Sequence, residues 1–437
     1  MPGRVYVETY GCALNQADTG LMLSALSRRG YRRVDSPWEA DVIILNTCTV
    51  RLETEEKMKN RIRRLREVAA KTGARLIVAG CMATAQPYTV KRLAPEAVLV
   101  STQNVHRVYE AVEEGRDLLG EPPRPKTVYA PEPGLLQRGR VAEVPVADGC
   151  LGDCSFCLTK LARRRVLSRP MEQIVETVEA LARRGVVEVR LTGQDVAVYG
   201  VDIYGRRMLP ELLRRIAEIP GRFMVRVGMM SPDQLEPILD EYLEVMRSPR
   251  FYKFFHLPVQ SGDDRVLRIM KRGYTVDEYR SLVKEVRRKM PGAMVATDII
   301  VGHPGEDEEA FENTVKLVEE LRFERVHLAQ YTPRPRTVAA GLPQVPDPVK
   351  KERSKRLMAV VERIGLEEHS RYLGSRALAL VVDRGPRGGL DAKLYNYMPV
   401  ILPEGSAEPG EWRCVEVTGA TWYDLRGRVV DCPGLPG

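Results

Sequence analysis

The sequence predicts an α/β protein in three parts: an N-terminal open parallel α/β sheet at residues 1–125, a central partial (β/α)6 barrel at 136–366, and a small β-barrel at 370–437. Three observations predict this fold class. Three apolar runs near the N-terminus are each followed by a helical pattern. Six strand candidates then alternate with helical stretches, which indicates parallel strands with crossover helices. After a helix at about 350–372, short β-rich runs at 377–382, 398–401, 414–418 and 428–430 are broken by Gly and Pro.

Composition excludes several classes of protein. The chain has 437 residues, too many for one ordinary core, and no apolar run approaches the roughly 20 residues that cross a bilayer. The N-terminus carries no signal-peptide pattern, so we expect a cytoplasmic protein without membrane contact. Eight cysteines in a reducing compartment favour metal binding over disulfides. Cys414 and Cys432 near the C-terminus are either a disulfide or two buried thiols.

The three N-terminal apolar runs each end close to a cysteine. They lie at 4–8, 42–45 and 76–79, before Cys12, Cys48 and Cys81. Ligands gather at the carboxyl ends of parallel strands, so these cysteines can converge although 36 and 33 residues separate them. Each cysteine taken alone is more typical of a small buried thiol than of a metal ligand. The shared position in a repeating strand-turn-helix unit favours a common metal cluster.

The central part supplies a second group of cysteines. Its six predicted strands place any active site over their C-terminal ends, and they lie at 144–147, 187–191, 223–227, 254–258, 295–301 and 326–331. Cys150, Cys154 and Cys157 follow the first strand. Three thiolates leave one iron of a cubane cluster open to another ligand. Zinc is the alternative, but no His or Cys follows within forty residues to complete a zinc site.

The spacing of Cys150, Cys154 and Cys157 resembles the signature of radical S-adenosylmethionine (SAM) enzymes. The segments around Cys12, Cys48 and Cys81 resemble the N-terminal domain of the methylthiotransferase family. This resemblance implies two [4Fe-4S] clusters with divided roles. The cluster on Cys150, Cys154 and Cys157 would reduce SAM to a deoxyadenosyl radical. The auxiliary cluster on Cys12, Cys48 and Cys81 would present sulfur, and a second SAM would supply the methyl group.

The same resemblance implies SAM contacts at other strand ends. Phe156 matches the aromatic position beside the adenine, and Thr192-Gly193-Gln194 matches the turn that receives the methionyl group. Gly302 lies in the segment that passes the adenine and ribose. Gln260, near His256, lies at the active-site mouth. Arg226 is a candidate contact for a carboxylate of SAM or of the substrate, whereas a lone histidine such as His256 is more often a packing residue.

The C-terminal part resembles the TRAM domain, an RNA-binding module. The resemblance places RNA contacts on a local patch or on aromatic side chains, because acidic and basic residues nearly balance after Ser375. The candidates are Arg384, Arg387, Lys393, Tyr395, Tyr397 and Trp422. Elsewhere the net charge of +8 has two basic runs, at 138–169 and 334–356, each with seven basic residues. We expect these runs to include phosphate contacts, or to be solvated helix faces.

The resemblance implies a tRNA methylthiotransferase that acts on N6-threonylcarbamoyladenosine at position 37, beside the anticodon. The segments 226–232 and 157–163 are most similar to the archaeal and eukaryotic branch. The alternatives within the family are isopentenyladenosine in tRNA and an aspartate of a ribosomal protein. Its partners would be the tRNA anticodon loop, an electron donor and a sulfur source. Two other classes stay open: an electron-transfer protein, which would prefer four protein ligands per cluster, and an RNA-binding scaffold, which would not cleave SAM.

Overall fold

The N-terminal part is one parallel sheet with helices on both faces. The computed structural model describes residues 3–49, 52–120, 126, 140–385 and 388–431. The strand order is β2-β1-β3-β4-β5, and the strands are β1 (Arg4–Thr9), β2 (Arg32–Arg33), β3 (Val42–Thr47), β4 (Arg75–Gly80) and β5 (Val98–Val100). The covering helices are α1 (Ala13–Ser27), α2 (Leu52–Thr72), α3 (Cys81–Ala85), α4 (Pro87–Leu93) and α5 (Val108–Glu114). The three predicted strands are confirmed, and β3 is buried along its whole length because sheet neighbours and helices enclose it.

The central part contains the six predicted strands, and radiating helices cover them. The strands in this part are β6 (Val141–Pro145), β7 (Ala147–Asp148), β8 (Leu167–Ser168), β9 (Glu188–Thr192), β10 (Met224–Arg226), β11 (Phe254–His256), β12 (Met294–Val301) and β13 (Arg325–Gln330). The helices are α6 (Thr159–Ala162), α7 (Met171–Arg183), α8 (Val201–Tyr204), α9 (Leu209–Ala217), α10 (Pro232–Leu235), α11 (Leu239–Val245), α12 (Asp264–Ile269), α13 (Val276–Lys289), α14 (Glu308–Leu321) and α15 (Asp347–Ser370).

The structure corrects two details of the predicted barrel. Its strands form two parallel sheets, β10-β9-β6 and β11-β12-β13, rather than one continuous ladder. Residues just before β11 approach β10 instead, since Tyr252 donates from its backbone N–H to the carbonyl of Val225 at 3.0 Å. The first strand ends at Pro145, because residues 147–148 leave the sheet to pair with β8 in an antiparallel bridge.

The C-terminal part is a closed barrel, as predicted. Its strand order is β14-β15-β16-β18-β17, with β14 (Arg376–Arg384), β15 (Leu390–Leu394), β16 (Pro399–Leu402), β17 (Trp412–Ala420) and β18 (Leu425–Val429). The sequence prediction lacked β15 and placed the last strand three residues too late, at 428–430. The suggested pairing of Cys414 with Cys432 involves a residue outside the described ranges.

The C-terminal barrel closes the lower end of the central barrel. Residues that begin the central strands, including Val141, Met224 and Met294, share one apolar core with barrel residues such as Leu380 and Val400. This packing covers the amino ends of these strands, and their carboxyl ends face the N-terminal sheet. None of the helices in the described ranges is long and apolar enough to cross a membrane.

Candidate active site

One cavity of about 520 Å³ lies where the carboxyl ends of the N-terminal and central strands face each other. It brings together most of the residues that the sequence singled out. The residues on its wall that concern us are Cys12, Asn15, Cys48, Cys81, Phe156, Cys157, Thr192, Gly193, Gln194, Arg226, His256, Gln260, Asp298, His327 and Arg334. The three N-terminal cysteines therefore share one space with Phe156 and Cys157 of the central cysteine loop, whereas Cys150 and Cys154 of that loop are not on the cavity wall.

Each N-terminal cysteine sits where a strand becomes a helix. Cys12 precedes α1, Cys48 follows β3, and Cys81 opens α3. Asn15 ties the three turns together: its amide donates to the carbonyls of Tyr10 and Thr47, both at 2.9 Å, and its Oδ1 accepts from Cys81 Sγ at 3.6 Å. Short amide side chains suit such turns. The turns thus hold three thiols against one wall of the cavity.

Steric crowding explains why a glycine, Gly11, precedes Cys12. Its φ is +112°, and an added Cβ would lie 2.9 Å from Cβ and 3.1 Å from Sγ of Cys48. Only glycine accepts both that conformation and that approach. Burial raises the pKa of the Cys81 thiol to about 12. Its metal-binding form is the thiolate, so binding of a metal cluster there would release a proton.

The central cysteines lie in a loop that folds around its own glycine. The backbone N–H of Gly152 donates to Cys150 Sγ at 3.2 Å. An added Cβ on Gly152 would meet both the Cys150 and Cys154 sulfurs, at 3.4 and 3.7 Å. Arg272 donates to Cys154 Sγ at 3.2 Å. Burial raises the pKa of Cys150 to about 12, and the nearby Asp195 carboxylate adds to the effect.

The spacing of the sulfurs bears on whether each cysteine triad would bind an iron-sulfur cluster or a single zinc ion. Two sulfurs bound to one zinc are at most about 4.6 Å apart, since each Zn–S bond is about 2.3 Å. Among the described residues, the one group of three ligating atoms within 4.8 Å of one another is His256, Asp298 and His327. Neither cysteine triad is that compact. As they stand, the three sulfurs of either triad are too far apart to bind one zinc ion together, and thiolates are the usual ligands of iron-sulfur clusters.

Other predicted SAM contacts surround the central cysteine loop. Gln194 Oε1 accepts from the backbone N–H of Gly149 at 2.6 Å, which joins the end of β9 to that loop. The Phe156 ring packs edge-on against His303, with 5.9 Å between ring centroids. Gln260 has a φ of +72° and bonds through its backbone to Asp298 and Ile300 of β12. Thr192 and Gly193 complete this wall.

Gly302 is not on the cavity wall, in contrast to the other predicted contacts. Its φ is +73°, and an added Cβ would lie 2.1 Å from Cγ of Lys350 on α15. The structure therefore supplies a packing reason for this glycine.

Four polar side chains form the wall of the cavity nearest the C-terminal barrel, and we call them the polar floor: Arg226, His256, Asp298 and His327. Asp298 Oδ1 accepts from His256 Nε2 at 2.8 Å and from His327 Nδ1 at 2.9 Å. Burial alone would raise the pKa of Asp298, but these two hydrogen bonds hold it well below its usual range. Burial lowers the pKa of His256.

Sequence reasoning missed several of these groups. His327 was read only as part of a strand, and Arg272 was given no role. Asp298 and Asp195 were included in segments expected to pass SAM, but neither was given a contact of its own. The available signal for Asp298 and His327 was that each is a polar residue within a predicted strand, but the folded sheet is needed to show that the two are register partners.

Some residues of the two basic runs form buried ion pairs within the protein. For these residues the expected contact with phosphate is wrong. Arg163 and Arg169 are buried and bind Asp148, and Arg163 also binds Asp18 of α1. Lys126 joins the same group of charges. These pairs attach the N-terminal sheet to the central barrel.

Arg334 and Arg353 of the second basic run are also buried in ion pairs, with Glu55 and Glu306 respectively. Arg164, Arg336 and Lys351 are exposed and keep the expectation of phosphate contact. In the C-terminal barrel, Tyr397 is unsuited to RNA because it faces the central barrel and donates to Glu188 at 3.1 Å.

The remaining RNA candidates of the C-terminal barrel differ in accessibility. Lys393 is nine-tenths buried and pairs with Asp391. Tyr395 is 49% exposed and Arg384 is also exposed. Trp422 is half-buried. Arg387 lies outside the described residues.

Two family models match the chain. The Radical SAM superfamily matches residues 144–318, and the family described as Uncharacterized protein family UPF0004 matches residues 4–101. Among solved structures, the radical S-adenosylmethionine methyltransferase TsrM from Kitasatospora setae, with cobalamin and a [4Fe-4S] cluster bound, has a TM-score of 0.56 at 17% identity, covering 78% of this chain and 77% of that one. This likeness is one of fold.

Curated relatives match over nearly the whole chain. A probable threonylcarbamoyladenosine tRNA methylthiotransferase of Pyrococcus abyssi is 38% identical, covering 98% of this chain and 99% of the relative. The threonylcarbamoyladenosine tRNA methylthiotransferase of Homo sapiens is 34% identical over 98% of this chain and 75% of the relative. A tRNA-2-methylthio-N(6)-dimethylallyladenosine synthase of Alkalilimnicola ehrlichii is 37% identical, with 98% of each chain covered.

Proposed function

This chain belongs to the radical SAM methylthiotransferase family, in its threonylcarbamoyladenosine branch, and from that premise we propose that it converts N6-threonylcarbamoyladenosine at position 37 of tRNA to the 2-methylthio derivative. The single observation that carries this proposal is that Cys12, Cys48 and Cys81 line the same cavity of about 520 Å³ as Cys157 of the central cysteine loop. A modification that joins sulfur, a methyl group and an unactivated C–H bond needs two reactive centres within reach of one substrate atom.

In this proposal the radical SAM domain takes SAM and one [4Fe-4S] cluster, held by Cys150, Cys154 and Cys157. A second [4Fe-4S] cluster is held by Cys12, Cys48 and Cys81. When bound, these groups supply one-electron chemistry, the sulfur and the methyl group. The six free thiols support the assignment, because three thiolates for each cluster leave one ligand position open.

The protein's own side chains orient the cofactors. Arg272 donates to Cys154 Sγ and so stabilises negative charge on that sulfur. Gln194 fixes the end of β9 against the cysteine loop, and Thr192 Oγ1 is buried without a partner among the described residues. An unpaired buried hydroxyl is costly, so it is available to a bound ligand. Gly193 lets that backbone approach closely, while Phe156 and Gln260 border the same space.

The substrate base enters as a single nucleotide. A cavity of about 520 Å³ accommodates one flipped-out base with cofactors on its walls and excludes a duplex. Unpaired anticodon-loop bases are the kind of RNA target that a protein can enclose. An external electron donor and a sulfur source complete the reaction, and the protein works in the cytoplasm.

The proposal is tested by mass spectrometry of nucleosides. Anaerobically reconstituted protein, SAM, a reductant and a sulfur source are incubated separately with tRNA bearing threonylcarbamoyladenosine, isopentenyladenosine or unmodified adenosine at position 37. We expect a methylthio mass increase on the threonylcarbamoyl nucleoside alone. Product on isopentenyladenosine instead, or deoxyadenosine with no product on any of the three, would move the substrate to another branch of the family. SAM left intact by cluster-replete protein would favour an RNA-binding scaffold or an electron carrier.

A further inference from the structure

The polar floor takes one side chain from each of four consecutive central strands: Arg226 ends β10, His256 ends β11, Asp298 lies in β12 and His327 in β13. Asp298 and His327 are register partners. The two imidazole rings are 5.2 Å apart between centroids. All four side chains border the cavity that Cys12, Cys48, Cys81 and Cys157 also line.

The half-buried guanidinium of Arg226 has no ion pair with an acidic group among the described residues. Its Nε is buried without a hydrogen-bond partner, and its guanidinium lies 5.1 Å from the centroid of the Phe254 ring. Its neighbour in register, Arg190, differs because it pairs with both Glu188 and Glu143. A partly buried charge without a partner is unfavourable. The cavity is therefore built to receive an anion at Arg226.

The two histidines offer hydrogen-bond acceptors beside that charge. Asp298 stays ionised, so each imidazole donates one N–H to it. A neutral imidazole that donates through one nitrogen accepts through the other. Burial, with a smaller contribution from Arg226, lowers the pKa of His256 and keeps that ring neutral. The floor thus presents one cation beside two imidazole rings, each of which has one ring nitrogen that does not bond to Asp298.

We propose that the polar floor is the binding site for the threonylcarbamoyl side chain of the substrate, with Arg226 paired to its carboxylate and His256 and His327 accepting from its hydroxyl and ureido N–H groups. This assignment rests on the proposed function. An isopentenyl group has no polar atom, so it would leave Arg226 unpaired, and the floor selects against it. The relatives alone separate the two substrates poorly, since their identities to this chain are 38% and 37%.

The other carboxylate that Arg226 could bind is that of SAM. A double-mutant cycle distinguishes the two carboxylates by changing Arg226 in the protein and the threonyl carboxylate in the RNA. The probes are two anticodon stem-loop RNAs, one with threonylcarbamoyladenosine and one in which a hydroxymethyl group replaces the threonyl carboxylate. Their dissociation constants are measured for the reconstituted wild type and for Arg226→Met. We expect the wild type to bind the analogue at least about 30-fold more weakly, as for a buried charge pair that has lost one partner.

In Arg226→Met we expect both RNAs to bind weakly and with dissociation constants within about threefold of each other. Without the guanidinium, removing the RNA carboxylate breaks no ion pair. Arg226→Lys, which keeps the charge, should restore part of the preference for the carboxylate. A preference of equal size in the wild type and Arg226→Met, together with weakened SAM binding, would assign Arg226 to SAM and overturn the proposal.

Two controls keep the result decisive. Thermal unfolding of Arg226→Met should show no loss of stability, because the change removes an unpaired, half-buried charge. Arg183→Met, on the exposed face of α7 beside Glu179, should bind both RNAs as the wild type does. If the wild type makes no methylthio product from threonylcarbamoyladenosine, the proposed function itself fails. If it makes the product but binds both RNAs equally, only the floor assignment fails.

Discussion

At the scale of one residue, packing explains why position 302 is a glycine. The sequence had suggested contact with SAM instead. The left-handed backbone and the proximity of Lys350 both exclude a side chain there. Lys350 is itself buried and donates to the carbonyl of Tyr331 at 3.2 Å, so it has little freedom to move away.

Gly302→Ala should therefore destabilise the fold, by about 2–4 kcal/mol from backbone strain plus overpacking. Gly205→Ala is the matched control, because Gly205 has a φ of +68° and no atom within 4 Å of the added Cβ. We expect it to cost only about 1 kcal/mol. Denaturant unfolding of both variants checks this, and equal losses would show that contact with Lys350 contributes nothing.

Some site residues could be predicted from the sequence and others could not. Both cysteine groups could be predicted, because spacing and a shared position at strand ends are visible in the sequence. The polar floor was not, because Arg226 and His256 are isolated polar residues in apolar strands and His327 reads as an ordinary strand residue. Which of them meet depends on strand register, and register across β10 to β13 is a property of the folded barrel.

At the scale of elements, Glu55 and Arg334 form a buried contact between α2 and the segment after β13. Glu55 also accepts from Thr49 at 3.0 Å and Gln86 at 2.8 Å, and Arg334 donates to the carbonyl of Thr49 at 2.9 Å. This network fixes the turn after Cys48 against the central barrel, so it positions one wall of the cavity.

Glu55→Gln should destabilise the protein by about 3 kcal/mol, because it leaves the Arg334 charge buried without its partner. Glu56→Gln is the control, since Glu56 is 56% exposed beside Lys59 and should change stability by less than about 0.5 kcal/mol. Chemical denaturation at neutral pH measures both. Equal effects would mean that the buried pair contributes no more than a surface one.

The same pair gives the protein a defined acid sensitivity. Burial alone would raise the pKa of Glu55, but hydrogen bonds from Gln86 and Lys59 and the charge of Arg334 lower it to about 2 from 4.5. A carboxyl whose pKa is lower in the folded state stabilises it fully above the unfolded value. That contribution should disappear as pH falls from about 4.5 towards 2, and stability measured against pH should lose this component in Glu55→Gln.

The strands that the sequence analysis did not predict are very short or contain charged residues. β2, β7 and β8 have two residues each, too few for a visible alternation. β15 does alternate, with Leu390, Ala392 and Leu394 inside and Asp391 and Lys393 between them, but its charged residues hid that pattern. The division of the central strands into two sheets depends on contacts just before β11, and no local sequence signal encodes it.

At the scale of the whole molecule, the C-terminal barrel is part of the architecture of the site as well as a candidate RNA module. Tyr397 packs against Tyr252 and Phe254, with ring centroids 4.9 and 5.0 Å apart, and its ring lies 6.0 Å from the Arg226 guanidinium. The barrel therefore supports the polar floor from below.

Tyr397→Ala should lower stability by about 3–5 kcal/mol, as for other buried aromatic residues. Tyr395→Ala is the matched control on the same turn, because Tyr395 is 49% exposed and should cost less than about 1 kcal/mol. Thermal unfolding and tRNA binding of both variants separate the two roles. Weakened tRNA binding by Tyr397→Ala with unchanged stability would restore Tyr397 as an RNA contact.

The central claim is that the two cysteine groups act at one cavity but perform different steps. It is tested most directly by comparing Cys12→Ala and Cys154→Ala in anaerobically reconstituted protein with threonylcarbamoyladenosine tRNA, measuring deoxyadenosine and the methylthio nucleoside together. We expect Cys12→Ala to form deoxyadenosine without the methylthio product, and Cys154→Ala to form neither. Equal loss of deoxyadenosine in both variants would contradict the division of roles.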